Sequence, residues 1–372
     1  MTTYAWPDSR VFRPATSMLQ VVDNLQRVNE SPLSGYTQTL AMPGARWAWS
    51  FTFPAQTVAD RDLLEAYLLA LSGRANRVQL WDLKRPMPLG DINTSGVTLA
   101  ASASQFATSV QLAGVRPAGE LLYGAGFGAD TNADGLSDHL TTYATGSYAG
   151  VNYTRVGFSG NAQRVTATTL GGTTTSQVGW RWTANTVLTE GKTYSIAADL
   201  YGSAGTSVAI ELDCYNASNV FLGRIYNTWA GSGVGYDRRS VSGAAPAGTA
   251  YGVLYIYMHS NSAGSPELRA DNVTLRESST AAAFTLATLK GGDWLALPDQ
   301  LLRCVADATA DESGLMTVSV RQMLRNAQTA ATAVTLAKPT GLFMRTEAGI
   351  ALPRQPGPVE PEITCDFVEA FA

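Results

Sequence analysis

The chain has 372 residues, of which 45% are hydrophobic and only 15% charged, and it carries 35 glycines, 3 cysteines and 2 histidines. At roughly 100–200 residues per domain the length implies two or three domains with an ample core. A net charge of −4 leaves no broad basic field for nucleic acid or an anionic membrane. The charged fraction lies well below the roughly 25% usual in soluble domains. Small residues are abundant, which fits twisted strands with many turns, or subunits that hide surface in an assembly, and excludes a helical bundle.

In chain order, Met1-Thr-Thr-Tyr-Ala-Trp-Pro-Asp lacks the basic and apolar regions of a secretory signal. No apolar run reaches the roughly 18–20 residues that a membrane span needs. These features predict a protein made in the reducing cytoplasm. Arg46-Trp-Ala-Trp-Ser-Phe-Thr-Phe53 alternates large apolar with small or polar residues and predicts a half-buried strand ended by Pro54. Val58 to Ser72 sets Leu63, Leu64, Tyr67, Leu68 and Leu71 on one helical stripe, with Thr57 as N-cap and Gly73 at the C′ position. Arg77 to Asp82 reads as the next strand, and 91–120 as short strands that include Ser109 to Leu112.

From about residue 122 to 278 Gly, Ser, Thr, Asn and Tyr dominate, in short alternating runs such as Gln177–Trp182, Val208–Leu212 and Val253–Tyr257. That texture predicts an antiparallel sandwich. After residue 280 the first texture returns in strand candidates at 284–286, 293–297, 301–305 and 315–320. A proline-rich stretch then precedes an alternating Ile363 to Phe371, which suits packing back on the N-terminal unit or pairing with a neighbouring subunit. The economical organisation is a mainly β chain: a discontinuous β-barrel or sandwich with one helix, formed by 1–120 plus 279–372, split by an inserted antiparallel β-sandwich at 121–278.

The sharpest motif is Asp130-Thr-Asn132-Ala-Asp134-Gly135-Leu-Ser-Asp138. Its oxygen ligands alternate before a turn glycine, as in the first half of a calcium loop. The twelfth position holds Thr141 rather than a bidentate Glu, so a further ligand must come from elsewhere, and Asp271 is the best candidate. The competing reading is an Asx-rich turn. Aromatic residues in the insert, among them Trp180, Trp182, Tyr226, Trp229, Tyr255 and Tyr257, could stack on the C–H faces of sugar rings. Trp180 and Trp182 share one strand face, as do Tyr255 and Tyr257, and a pair of that spacing is more often core than platform. Trp229, in a turn-like run, is the residue expected to be most exposed. Catalysis finds little support: His139 and His259 sit in no nucleophile elbow, and neither a phosphate loop nor a zinc spacing occurs. Paired carboxylates for glycoside hydrolysis depend on three-dimensional spacing, and no pair stands out. Cys214, Cys304 and Cys365 share no ligand spacing, and Cys214 and Cys304 read as buried thiols.

The segments Trp47-Ala-Trp-Ser-Phe-Thr-Phe, Leu63 to Leu71 and Val78-Gln-Leu-Trp-Asp resemble the distal tail proteins of long-tailed bacteriophages. So do Ala107 to Val115, Thr288-Leu-Lys-Gly-Gly-Asp-Trp-Leu-Ala-Leu, Arg303 to Gly314 and Lys338-Pro-Thr-Gly-Leu-Phe. Between them the insert resembles carbohydrate-binding jelly-roll modules, opening with the 130–138 motif and closing with Ala270-Asp-Asn-Val-Thr-Leu. The resemblance implies a structural calcium held by Asp130, Asn132, Asp134, Asp138 and Asp271. It also implies a homohexameric ring at the virion tail tip, joining tail tube protein to baseplate hub protein, with outward modules that bind host surface glycan. It implies neither an enzyme nor insertion into a membrane. The alternative is a polysaccharide-degrading enzyme that the sandwich tethers to its substrate.

Overall fold

The computed structural model describes residues 2–22, 26–30, 34, 37–41, 45–122, 127, 130–157, 161–170, 176–260, 265–298 and 300–370. The chain is mainly β, with a single α-helix among the described residues, Val58–Ala70. Alternation in Arg46–Phe53 works as the sequence predicts: Trp47, Trp49, Phe51 and Phe53 are buried while the residues between them face outward. This strand lies in a six-stranded sheet ordered Thr3–Ala5, Arg77–Leu80, Gly341–Arg345, Ile363–Glu369, Arg46–Phe53, Thr16–Val22. The expected last strand therefore packs back on the N-terminal strands, between Gly341–Arg345 and Arg46–Phe53.

The helix starts at Thr57, whose hydroxyl accepts from the Asp60 amide at 3.3 Å. Leu64, Leu68 and Leu71 are buried against the sheet with Trp6, Trp294 and Phe367. Leu63, expected on the same stripe, faces solvent, because a residue immediately before Leu64 lies about 100° around the helix. Arg61 and Glu65 are buried instead, paired at 2.7 Å, and a second Arg61 nitrogen donates to the Pro361 carbonyl at 2.8 Å. A second core joins Val97, Leu99, Val110 and Leu112 to Leu289, Leu302, Val318 and Leu324, so residues near 100 and near 300 close one cluster.

Most of the strands between Leu140 and Glu277 build two facing sheets. One runs Leu140–Thr145, Gln177–Trp182, Tyr251–Ser260, Thr206–Tyr215, Phe221–Ala230; the other runs Asn152–Gly157, Asn161–Thr166, Glu267–Glu277, Thr193–Gly202, Asp237–Ala244. Their inner faces meet in a core of Val178, Trp180, Ile196, Ile210, Leu212, Ile256 and Leu275, among others. Phe284–Leu286, expected as a strand, is irregular. All three cysteines are buried and free, and burial pushes the Cys214 thiol up to about 11. Among the described residues no helix is long and apolar enough to cross a membrane.

Candidate functional site

The outer face of the first sandwich sheet is built in rows by strand register. One row places Thr141, Arg181, Tyr255, Glu211 and Tyr226 side by side. The next places Tyr143, Gly179, Tyr257, Ala209 and Thr228. On one side Val253, Asp213 and Arg224 follow; on the other, His259 pairs with Ser207. At the far end Tyr251, Tyr215 and Phe221 line up.

Gly179 is what lets the second row close. A Cβ there would lie 2.2 Å from the Ile256 carbonyl oxygen. With no side chain in that position, Tyr143 leans across to bring its ring 5.7 Å from Tyr257 and 4.9 Å from Tyr255. The result is a tyrosine floor, with Tyr255 and Tyr257 nearly closed to solvent. Tyr226, 42% exposed, and Phe221, 45% exposed, form its open rim, and Tyr215 stacks on Tyr251 at 5.3 Å.

Two carboxylates sit within this floor. Glu211 accepts from the Tyr257 hydroxyl at 2.7 Å and pairs with Arg224 at 2.9 Å. Asp213 accepts from the Tyr215 hydroxyl at 3.4 Å and lies 3.6 Å from the same guanidinium. Burial, reinforced by the adjacent Glu211 carboxyl, pushes Asp213 up to about 7. The Tyr257 hydroxyl is pushed up by burial and by Glu211. Burial lowers His259, and neither of its ring nitrogens has a hydrogen-bond partner among the described residues. Chemically the face offers aromatic rings, hydroxyls, carboxylate acceptors and a guanidinium donor, the groups that hold a polyhydroxylated ligand.

The four aromatic residues expected to bind sugar separate here. Tyr226 is on the rim. Trp180 and Trp182 are corrected to core residues, at 0% and 3% exposure, because their parity on Gln177–Trp182 points them between the sheets. Trp229 lies in the strand Phe221–Ala230 rather than in a turn, half-buried opposite Val208 and packed on the sandwich core. Glu211, Asp213, Arg224 and Tyr143 were missed by the sequence reading. The signal for the acids is the spacing of two in Val208–Tyr215, which sets both on one face.

In the 130–138 loop the acidic side chains mostly serve the backbone. Asp130 Oδ2 accepts from the Gly135 amide at 3.2 Å, Asp134 Oδ1 from Leu136 at 2.8 Å and Asp138 Oδ1 from Thr131 at 2.8 Å. Asn132 accepts from the Asp134 amide and donates to its carboxylate. Gly135, at φ +83, approaches Tyr153 so closely that a Cβ would lie 2.6 Å from its carbonyl oxygen. Fully buried Gln163 latches the loop, accepting from the Ser137 amide and donating to the Gly135 and Thr154 carbonyls. Asp271 is fully buried one residue beyond Ala270, the register partner of Gln163, and accepts from the Asn272 amide at 2.8 Å. Among the described residues no three His, Cys, Asp or Glu side chains gather as a metal cage. One atom of the loop, Asp130 Oδ1, is buried without a hydrogen-bond partner among the described residues.

No family model and no curated protein matches the sequence. Similar solved structures include the enzymatically active domain of bacteriophage CBA120 tailspike protein 4, at 11% identity and a TM-score of 0.32, over 42% of this chain and 21% of that one. They include the CBM22-1 xylan-binding domain of Paenibacillus barcinonensis Xyn10C, at 13% identity and TM-score 0.30, over 44% of this chain and 96% of that one. They also include the family 11 carbohydrate-binding module of Clostridium thermocellum Lic26A-Cel5E, at 17% identity and TM-score 0.28, over 38% of this chain and 90% of that one. The chain spans about a fifth of the length of the tailspike domain.

Proposed function

We propose that this is a structural protein of a phage tail tip, in which 1–120 and 279–372 form a ring-building unit and the inserted sandwich at 121–278 binds host cell-surface glycan. The observation that carries the glycan reading is the face just described: a tyrosine floor with buried acceptors, a guanidinium and an aromatic rim. Sugars present apolar C–H faces and a belt of hydroxyls, so they call for that mixture. The assembly reading is supported by the outer face of the six-stranded sheet. There Met18, Val22, Arg46, Ala48, Met344 and Val368 line an open groove of about 630 Å³. Weak sites repeated around a ring gain avidity without new contacts.

A structural calcium at the 130–138 loop belongs to the same proposal. Asp130 Oδ1, orphaned among the described residues, fits a cation, and Asp130, Asn132, Asp134, Asp138 and Asp271 would hold it once they turned from their present backbone bonds. The enzymatic alternative rests on Glu211 and Asp213. The two are neighbours on one strand face and share one arginine.

The test is retention of the purified protein on host envelope polysaccharide, with reducing ends assayed in the same tubes. Retention without new reducing ends is expected. Sustained release of reducing ends would establish the enzymatic reading, and no retention on any envelope fraction would remove the glycan reading.

A further inference from the structure

Two strands of chain connect the sandwich to the rest of the molecule, and an acidic side chain grips each end of that neck. On the sandwich side Glu120 is 4% exposed, and its Oε1 accepts from three backbone amides: Leu121 and Leu122 at 3.1 Å and Leu275 at 2.8 Å. Its other oxygen lies 3.4 Å from the Arg276 guanidinium, and Glu120 forms a backbone bridge with Arg276. The inbound strand is thereby tied to the last strand of the sandwich. On the other side Asp91 Oδ1 accepts from the Ala118 amide at 2.9 Å, while its backbone exchanges hydrogen bonds with Thr288 on the outbound strand. Arg116 links the two ends: its carbonyl accepts from Asn93 at 2.7 Å and its guanidinium donates to the Leu121 carbonyl at 3.2 Å.

We propose that Asp91 and Glu120 form a two-point lock that holds the sandwich at one fixed orientation to the split unit.

Two packed units joined by a small interface are expected to move against each other unless something opposes it. Here apolar packing runs through the neck: Leu122 and Phe284 join the sandwich core, and Val115 and Ala287 join the other. The cavity left between them, lined by residues such as Pro117, Leu122, Phe284 and Ala310, measures about 30 Å³, room for about one water. Burying a carboxylate is costly unless donors surround it, and Glu120 has three amides and a guanidinium. A fixed neck would present the outer face of the sandwich at a constant angle, and the lock stands whatever either part binds.

Limited proteolysis of the full chain tests it, comparing the parent with Glu120→Ala and Asp91→Ala and mapping the cuts. Both variants should be cut within 114–122 or 278–287 about tenfold faster than the parent or more, leaving fragments that melt cooperatively, because the lost hydrogen bonds lower the free energy of local opening. Neck cutting in both variants at the parent's rate would overturn the lock, as would a parent cut there as fast as a flexible peptide. If Glu120→Ala is cut throughout 140–277 instead, Asp91→Ala, which removes no contact within the sandwich, decides the matter.

Discussion

Gly179, Asp213, Tyr226 and Trp229 each carry a distinct expectation. Gly179→Ala forces a Cβ against the Ile256 carbonyl and should cost about 1–3 kcal/mol in denaturant unfolding, the usual range for overpacking. Tyr226→Ala removes an exposed rim ring and should weaken retention on envelope glycan with the melting temperature unchanged. Trp229→Ala should do the reverse, lowering the melting temperature because its ring packs on the sandwich core. Asp213 sits at about 7 in the folded chain against roughly 3.9 in the unfolded one, so between those values the folded state holds a proton that the unfolded state has released. Its contribution to stability therefore falls as pH rises from about 4 to about 7 and is level above that. In denaturant titrations across that interval, the stability difference between parent and Asp213→Asn should shift in that direction; a constant difference would show that Asp213 titrates normally. Sequence and structure part company most clearly at this scale. A spacing of two shows that Trp180 and Trp182 share a face, and likewise Tyr255 and Tyr257, but strand alternation is symmetric and does not say which face is inward. Packing of the second sheet settles it, turning the tryptophans in and the tyrosines out.

At the scale of elements, the strong periodic segments were readable because a single local rule governs each. Arg46–Phe53 alternates, and Val58–Ala70 is capped by Thr57. Removing that cap in Thr57→Ala should cost about 1 kcal/mol of helix stability, measured by thermal unfolding. The 130–138 loop is the opposite case. Its oxygens suit both a cation and an Asx turn, and the structure shows the turn bonds already made, with Asp130 Oδ1 left over. If calcium sits there, chelation should lower the melting temperature of the full protein, and re-adding calcium should restore it. An unchanged melting curve would leave the loop anchored by Gln163 and by Leu136 in the core, without a cation. That anchorage was illegible in the sequence, since Gln163 lies 26 residues from Ser137 along the chain.

For the whole molecule, the ring proposal predicts six-fold density at the tail tip of a virion carrying this protein; an image without it would count against the assembly directly. The fixed neck adds that the sandwiches should be as sharply resolved as the ring, because a flexible tether would blur them. The sequence by itself determined the mainly β class, the change of texture near 122 and 278, and the alternation of individual strands, all of which follow from local composition and period. Only the tertiary structure decided that Ile363–Glu369 inserts between Gly341–Arg345 and Arg46–Phe53. It also decided that Glu211, Asp213 and Arg224 converge beneath Tyr226, and that Asp91 and Glu120 grip the neck. Apart from the hairpin that carries Glu211, Asp213 and Arg224, these contacts join residues far apart along the chain. Their partners are chosen by register and by burial of whole faces, which no local pattern encodes.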